Sequence, residues 1–199
     1  FEVTDIFVQE LDNIRGLWSR IPEVLDFKIL RRFTSVTCDI YQFKAYYQEG
    51  IDVAHILLKQ LSSLNDNSED YHAIVMELNV SLGWFHTRIG QIQKAELMFQ
   101  EAKTLFETYD IVPTKALGFN PYMGLGIVRT IQGEYEKAIE LGQSLVTYST
   151  THNDKHNLAG GYYVLSSVAL TKANYEDAAD AVRLGLEAIR PTNDQWFTA

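Results

Sequence analysis

The chain has 199 residues, 46% hydrophobic and 22% charged, a balance that suits a folded protein and excludes a disordered one. Its formal net charge of −9 argues against a surface that grips nucleic-acid phosphates. Cys38 is the single cysteine, so an intrachain disulfide is excluded and a reducing cytoplasm fits. No apolar run approaches the roughly 20 residues that a membrane span needs.

Only four prolines occur, which favours long helices over a loop-rich β fold. The chain opens on Phe1 with no secretory signal pattern, and reads as a segment of a longer one. Residues 1–34 are expected to form a helical segment leading into an array. They contain the one compact basic patch, Lys28, Arg31 and Arg32, expected to decorate a helix face or meet an upstream domain.

From about residue 35 a pattern repeats. It runs Leu82-Gly83, Gly90-Gln-Ile92, Ala95, Phe99 and Ala102 in one copy. The next two copies run Leu125-Gly126, Gly133-Glu-Tyr135, Ala138 and then Leu165-Ser166, Ala173-Asn-Tyr175, Ala178. Ala95 and Ala138 are 43 residues apart, and Ala138 and Ala178 are 40 apart. Stepping back 41 residues from Ala95 reaches Ala54, which implies a degenerate first copy starting near Ser35. Four helix pairs are therefore expected over residues 35–199, at about 35–65, 76–109, 119–150 and 159–191. Asp194-Gln-Trp196-Phe-Thr-Ala199 then resembles the opening of a further helix.

The residue types follow from close packing. Small residues Gly83, Gly126 and Ser166 let the first helix of a pair approach its neighbours, and the alanines do the same from the second. Gly90, Gly133 and Asn174 tolerate the left-handed conformation that ends a helix. Ile92, Tyr135 and Tyr175 are expected to open the second helix and bury a large side chain against the first. Each hairpin alone leaves an apolar face uncovered, so the array is the unit of stability.

In general outline this resembles the tetratricopeptide repeat, W-x2-L-G-x2-Y followed by A-x3-F and a proline, with a longer period. The expected large aromatic is Asn79 in one copy and Tyr122 or Tyr162 in others, and the closing proline survives only as Pro191. The resemblance implies an all-α, right-handed superhelix of antiparallel helix pairs. Upstream, Glu10-Leu-Asp-Asn-Ile-Arg15-Gly-Leu-Trp18, then Phe43, Tyr46 and Glu49-Gly50, resembles the run where a signal-transduction (STAND) ATPase passes into helical repeats. LuxR-type and antibiotic-regulator-type bacterial activators carry such sensor arrays. That resemblance implies an adjoining ATPase domain in the parent chain, with ATP bound there and no cofactor here.

In repeats of this kind the first helix of each pair lines a concave face. Projected onto this sequence, that face draws Asp39, Phe43, Tyr46 and Tyr47 from the first pair and Glu77, Val80, Trp84, Thr87 and Arg88 from the second. The third and fourth supply Asn120, Met123, Ile127 and Thr130, then Tyr163, Ser167 and Thr171. Aromatics beside an arginine and amides suit a protein, a peptide or a small-molecule effector. For any one of these residues, packing between neighbouring pairs is the competing reading.

Other constellations are weaker. His152 and His156 flank Asp154 in an expected polar connection, residues 149–157, and lack a third metal ligand. Cys38 sits at an expected large-residue position and reads as a buried structural thiol. Gly124-Leu-Gly126 lacks the following lysine of a phosphate loop, and Glu134, Glu136 and Glu140 read as a solvated helix face. No catalytic or metal residue is assigned. A non-catalytic binding module is expected, the sensor or scaffold of a bacterial regulator. The alternative is a free-standing scaffold that recognises a peptide, and exposed array ends allow self-association.

Overall fold

A computed structural model describes residues 11–18, 26–64, 66–111 and 120–192. Within the described residues the chain is all-α, with nine α-helices and no strand. None of these helices is long and apolar enough to cross a membrane. The chain divides into two compact units, Phe1–Thr114 and Lys115–Ala199. The expected opening of a further helix at residues 194–199 lies outside the described residues.

The first unit holds α1 (Leu11–Trp18), α2 (Phe27–Phe43), α3 (Tyr47–Ser62), α4 (Glu69–Arg88) and α5 (Ile92–Tyr109). The second holds α6 (Pro121–Ile131), α7 (Tyr135–Thr151), α8 (Lys155–Thr171) and α9 (Tyr175–Ile189), closed by a 3₁₀ turn over Arg190–Thr192. Helices α2 and α3, α4 and α5, α6 and α7, and α8 and α9 are in contact and each joined by only three residues.

Three first helices begin well before the expected bounds, because each starts at a side-chain cap. Asp26 accepts from the backbone N–H groups of Lys28 and Ile29 at 2.7 and 3.3 Å. Ser68 accepts from Tyr71 N, and Asp154 from Asn157 N. Such caps satisfy donors that no helix can pair internally. Asp154 also corrects the expected 149–157 connection. Helix α7 runs to Thr151 and α8 starts at Lys155, so only residues 152–154 connect them.

Second helices have no side-chain cap; a shared turn positions them instead. Ala45, Gly90, Gly133 and Ala173 take φ values of 58, 75, 78 and 57°. In each case the next residue donates back five positions, Tyr46 to Tyr41, Gln91 to His86, Glu134 to Arg129 and Asn174 to Ala169, at 2.8–2.9 Å. These bonds satisfy carbonyls orphaned at the helix end and fix the hairpin angle. Asn174, expected to be left-handed, has φ −89° and opens α9, while Ala173 carries the strain.

Aligning the four turns corrects the first repeat. Ala95, Ala138 and Ala178 lie five residues after the left-handed residue, and in the first pair that place belongs to Gly50, not Ala54. Gly50 is needed there, since a Cβ would meet the Phe85 ring at 2.7 Å. Seven residues before the turn stand Gly83, Gly126, Ser166 and Cys38. Cys38 thus fills the small-residue position rather than a large one.

The same packing recurs within each unit. In the first, Arg31 and Cys38 of α2 meet Glu77 and Ser81 of α4. In the second, Met123 and Gly126 of α6 meet Gly160 and Val164 of α8. Contacts advance together along both chains, so successive first helices run parallel. Second helices lie antiparallel to them, as Gly142, Leu145 and Val146 of α7 packing on Leu165, Gly160 and Gly161 of α8 show. Apolar burial concentrates at these crossings; Leu30, Leu57, Leu61, Leu78, Leu82 and Phe85 are fully enclosed in the first unit. Trp18 of α1 covers the same cluster and its ring lies 5.1 Å from that of Phe33.

Candidate binding surfaces

Because the hairpins share one turn, their first helices can be compared position by position. Six residues before the turn stand Asp39, Trp84, Ile127 and Ser167, and all four are half-buried. Two residues before it stand Phe43, Arg88, Ile131 and Thr171, and all four are exposed. The fold therefore presents two recurrent positions whose accessibility is constant and whose chemistry changes from acid or aromatic to arginine, aliphatic or hydroxyl.

The candidates divide on this scale. In the first unit, Asp39 and Phe43 lie in the C-terminal half of α2, and Arg88 ends α4. Trp84 is half-buried, with its ring edge-on to Phe99 at 5.2 Å and 77°, so it packs as well as presents. Tyr46 and Tyr47 are not on a first helix: the turn at Ala45 ends α2 at Phe43, and Tyr47 opens α3 with its ring 6.5 Å from Phe85. Glu77 and Val80 are buried, and Thr87 donates its hydroxyl to Gly83 O.

In the second unit, Tyr163 on α8 is exposed. Asn120 and Met123 are buried. Asn120 caps α6 through Tyr122 N at 3.0 Å, while the Met123 sulfur fills the space above Gly160. Thr130 is enclosed and donates to Gly126 O. Asn120, Met123, Glu77, Val80 and Thr130 are packing residues, and a ligand on the surface does not reach their side chains.

Sequence reasoning missed the polar bridge inside the first unit. Arg31 places Nε and Nη2 at 3.0 and 2.7 Å from the Glu77 Oε1 atom, and the Glu77 side chain is 1% exposed. The signal was a lone carboxylate in the apolar run Ala73-Ile-Val-Met-Glu77-Leu, with an arginine in the segment assigned to a surface patch. A second missed contact stacks His72 on Tyr109, 3.6 Å between ring centroids at 13°, and ties the start of α4 to the end of α5. The third is an exposed row on α2, Ile29, Val36 and Phe43, at seven-residue spacing.

Reactive chemistry is muted. Burial pushes the Cys38 thiol up to about 12, against a smaller opposing effect of Ser81, so it stays protonated and unreactive at neutral pH. His152 stacks on Tyr148 at 4.1 Å and its Nδ1 contacts Tyr148 O, while His156 lies in the first turn of α8. Among the described residues no three His, Cys, Asp or Glu side chains converge as a metal set. The surface can recognise by shape, apolar contact and charge.

Compared with known proteins, the chain matches no family model and no curated relative.

Proposed function

We propose that this chain is a non-catalytic binding module of tetratricopeptide type, forming a right-handed superhelix that recognises a peptide, a protein or a small-molecule effector. The observation that carries the reading is the pair of recurrent surface positions on the first helices. One backbone frame, repeated four times, offers Asp39, Trp84, Ile127 and Ser167 beside Phe43, Arg88, Ile131 and Thr171. Constant geometry with varied chemistry suits recognition better than it suits packing, which would favour apolar residues throughout.

On the upstream resemblance, our reading of such a module is the cytoplasmic sensor of a bacterial signal-transduction or transcription regulator, beside an ATPase domain. A partner bound to one superhelical packing more tightly than to another would then bias the ATPase. Two measurements test this. Calorimetric screening of the purified chain against sugars, metabolites and peptides should find a ligand whose affinity falls roughly tenfold, about 1.4 kcal/mol, in Arg88→Ala or Tyr163→Ala. Affinity unchanged in both variants removes the surface from consideration. A parent gene with no phosphate-binding loop upstream removes the ATPase assignment and leaves the peptide scaffold.

A further inference from the structure

One face of α2 is exposed where the equivalent faces of α4 and α8 are covered. On α4 the positions thirteen and nine residues before the turn are Glu77 and Ser81, and they receive α2 through Arg31 and Cys38. On α8 the same positions are Gly160 and Val164, and they receive α6 through Met123 and Gly126. On α2 the equivalents are Arg32 and Val36, both exposed. They belong to one stripe, Ile29, Arg32, Val36, Asp39 and Phe43, which lies opposite the buried side of α2. Its three apolar members are 53%, 46% and 48% exposed at Ile29, Val36 and Phe43. Apolar residues at seven-residue spacing line up along one side of a helix, where a second helix can lie against them.

We propose that this face binds the same face of a second copy of the chain, with the two α2 helices antiparallel about Val36. In that two-fold arrangement the stripe is self-complementary and the pairing closes. Ile29 and Phe43 lie seven residues to either side of Val36, so each Ile29 meets the other copy's Phe43. Arg32 lies four before and Asp39 three after, on the same flank, so a two-fold axis brings each Arg32 beside the opposite Asp39. A parallel pairing in register would instead set Arg32 against Arg32 and Asp39 against Asp39, a like-charge arrangement that is disfavoured. The contact extends over the fifteen residues from Ile29 to Phe43, a rise of about 21 Å. That is below a standard interface in size, so the dimer is weak and exchanges with monomer.

This inference rests on the reading of the first-helix positions as a docking surface, and names the occupant of its α2 end. Sedimentation equilibrium of the full chain, from micromolar to near-millimolar concentration, should show a monomer–dimer equilibrium. Val36→Glu should be monomeric throughout with unchanged helicity and melting, since Val36 faces away from the core. Arg32→Asp should weaken association about tenfold, because it sets aspartate against Asp39 in both symmetry-related pairs. Adding Asp39→Arg to Arg32→Asp restores opposite charges and should return the dissociation constant to within about threefold of the parent. A parent chain that stays monomeric, a Val36→Glu variant that still dimerises, or a double exchange that fails to recover association each overturns the proposal. Ligand binding that persists in the Val36→Glu monomer through Arg88 or Tyr163 leaves the binding-module reading standing even then.

Discussion

The ring of Phe99 occupies the space that a Cβ on Gly83 would need: three of its carbons lie within 2.7 Å of that point. Phe99 is fully buried and held edge-on by Trp84, so it has no room to retreat. Gly83→Ala should gain about 1 kcal/mol of helix propensity. Overpacking an enclosed core costs roughly 1–3 kcal/mol, so the crowding wins and the variant should lose stability in urea denaturation. Phe99→Leu introduced alongside should recover part of the loss, a coupling that an unrelated defect would not show.

Two of the four hairpin turns carry the wrong residue for their backbone. Ala45 and Ala173 hold φ values near 58°, where Gly90 and Gly133 stand in the other pairs. A left-handed L-residue costs about 1–2 kcal/mol, against roughly 0.5–1 kcal/mol for the added freedom of glycine in the unfolded chain. Ala173→Gly should therefore raise stability by about 0.5 kcal/mol or more and increase Tm, whereas Gly133→Ala should lower both. A fall in Tm for Ala173→Gly would show that the turn is not strained.

The repeat was legible because its punctuation is local. Gly90 and Gly133 mark turns, and Ala95, Ala138 and Ala178 keep a fixed distance from them, so helix pairing could be read without tertiary information. The first copy was misregistered for a physical reason. Its left-handed residue is Ala45 and its close-approach residue is Gly50, a reversal of the usual types that made Ala54 look like the match. The candidate surface was less legible, since exposure depends on what packs alongside. Asn120 reads as a polar surface residue, yet it serves as a buried helix cap. Arg31 and Glu77 lie 46 residues apart, and only the parallel packing of α2 on α4 joins them.

That ion pair should be asymmetric in its response to mutation. Glu77 is enclosed, and its partner Arg31 is mostly buried. Arg31→Met would leave the carboxylate without its cation, an arrangement that costs roughly 3–5 kcal/mol in buried pairs. Arg31→Met with Glu77→Leu removes both charges and should recover most of that loss, measured by urea midpoint. A double variant as unstable as Arg31→Met alone would mean that the bridge itself, rather than the abandoned charge, sustains the packing of α2 on α4.

His86 should make stability depend on pH below neutrality. Its ring is buried at the end of α4, beside the Gln91 side chain. Burial lowers its pKa; the Gln91 side chain opposes the shift, while Lys94 and His55 add to it. The unfolded chain therefore binds this proton more readily than the folded one. The stability associated with neutral His86 is complete above the unfolded value of about 6.5 and is lost as pH falls through that value toward the lower folded one. Urea midpoints measured at about pH 7.5 and 5.5, either side of that value, should fall on acidification in the parent. They should fall less in His86→Gln, which keeps a polar side chain but cannot titrate. The other histidines and the carboxylates contribute equally to both proteins, so identical pH dependence in the two would assign no role to His86.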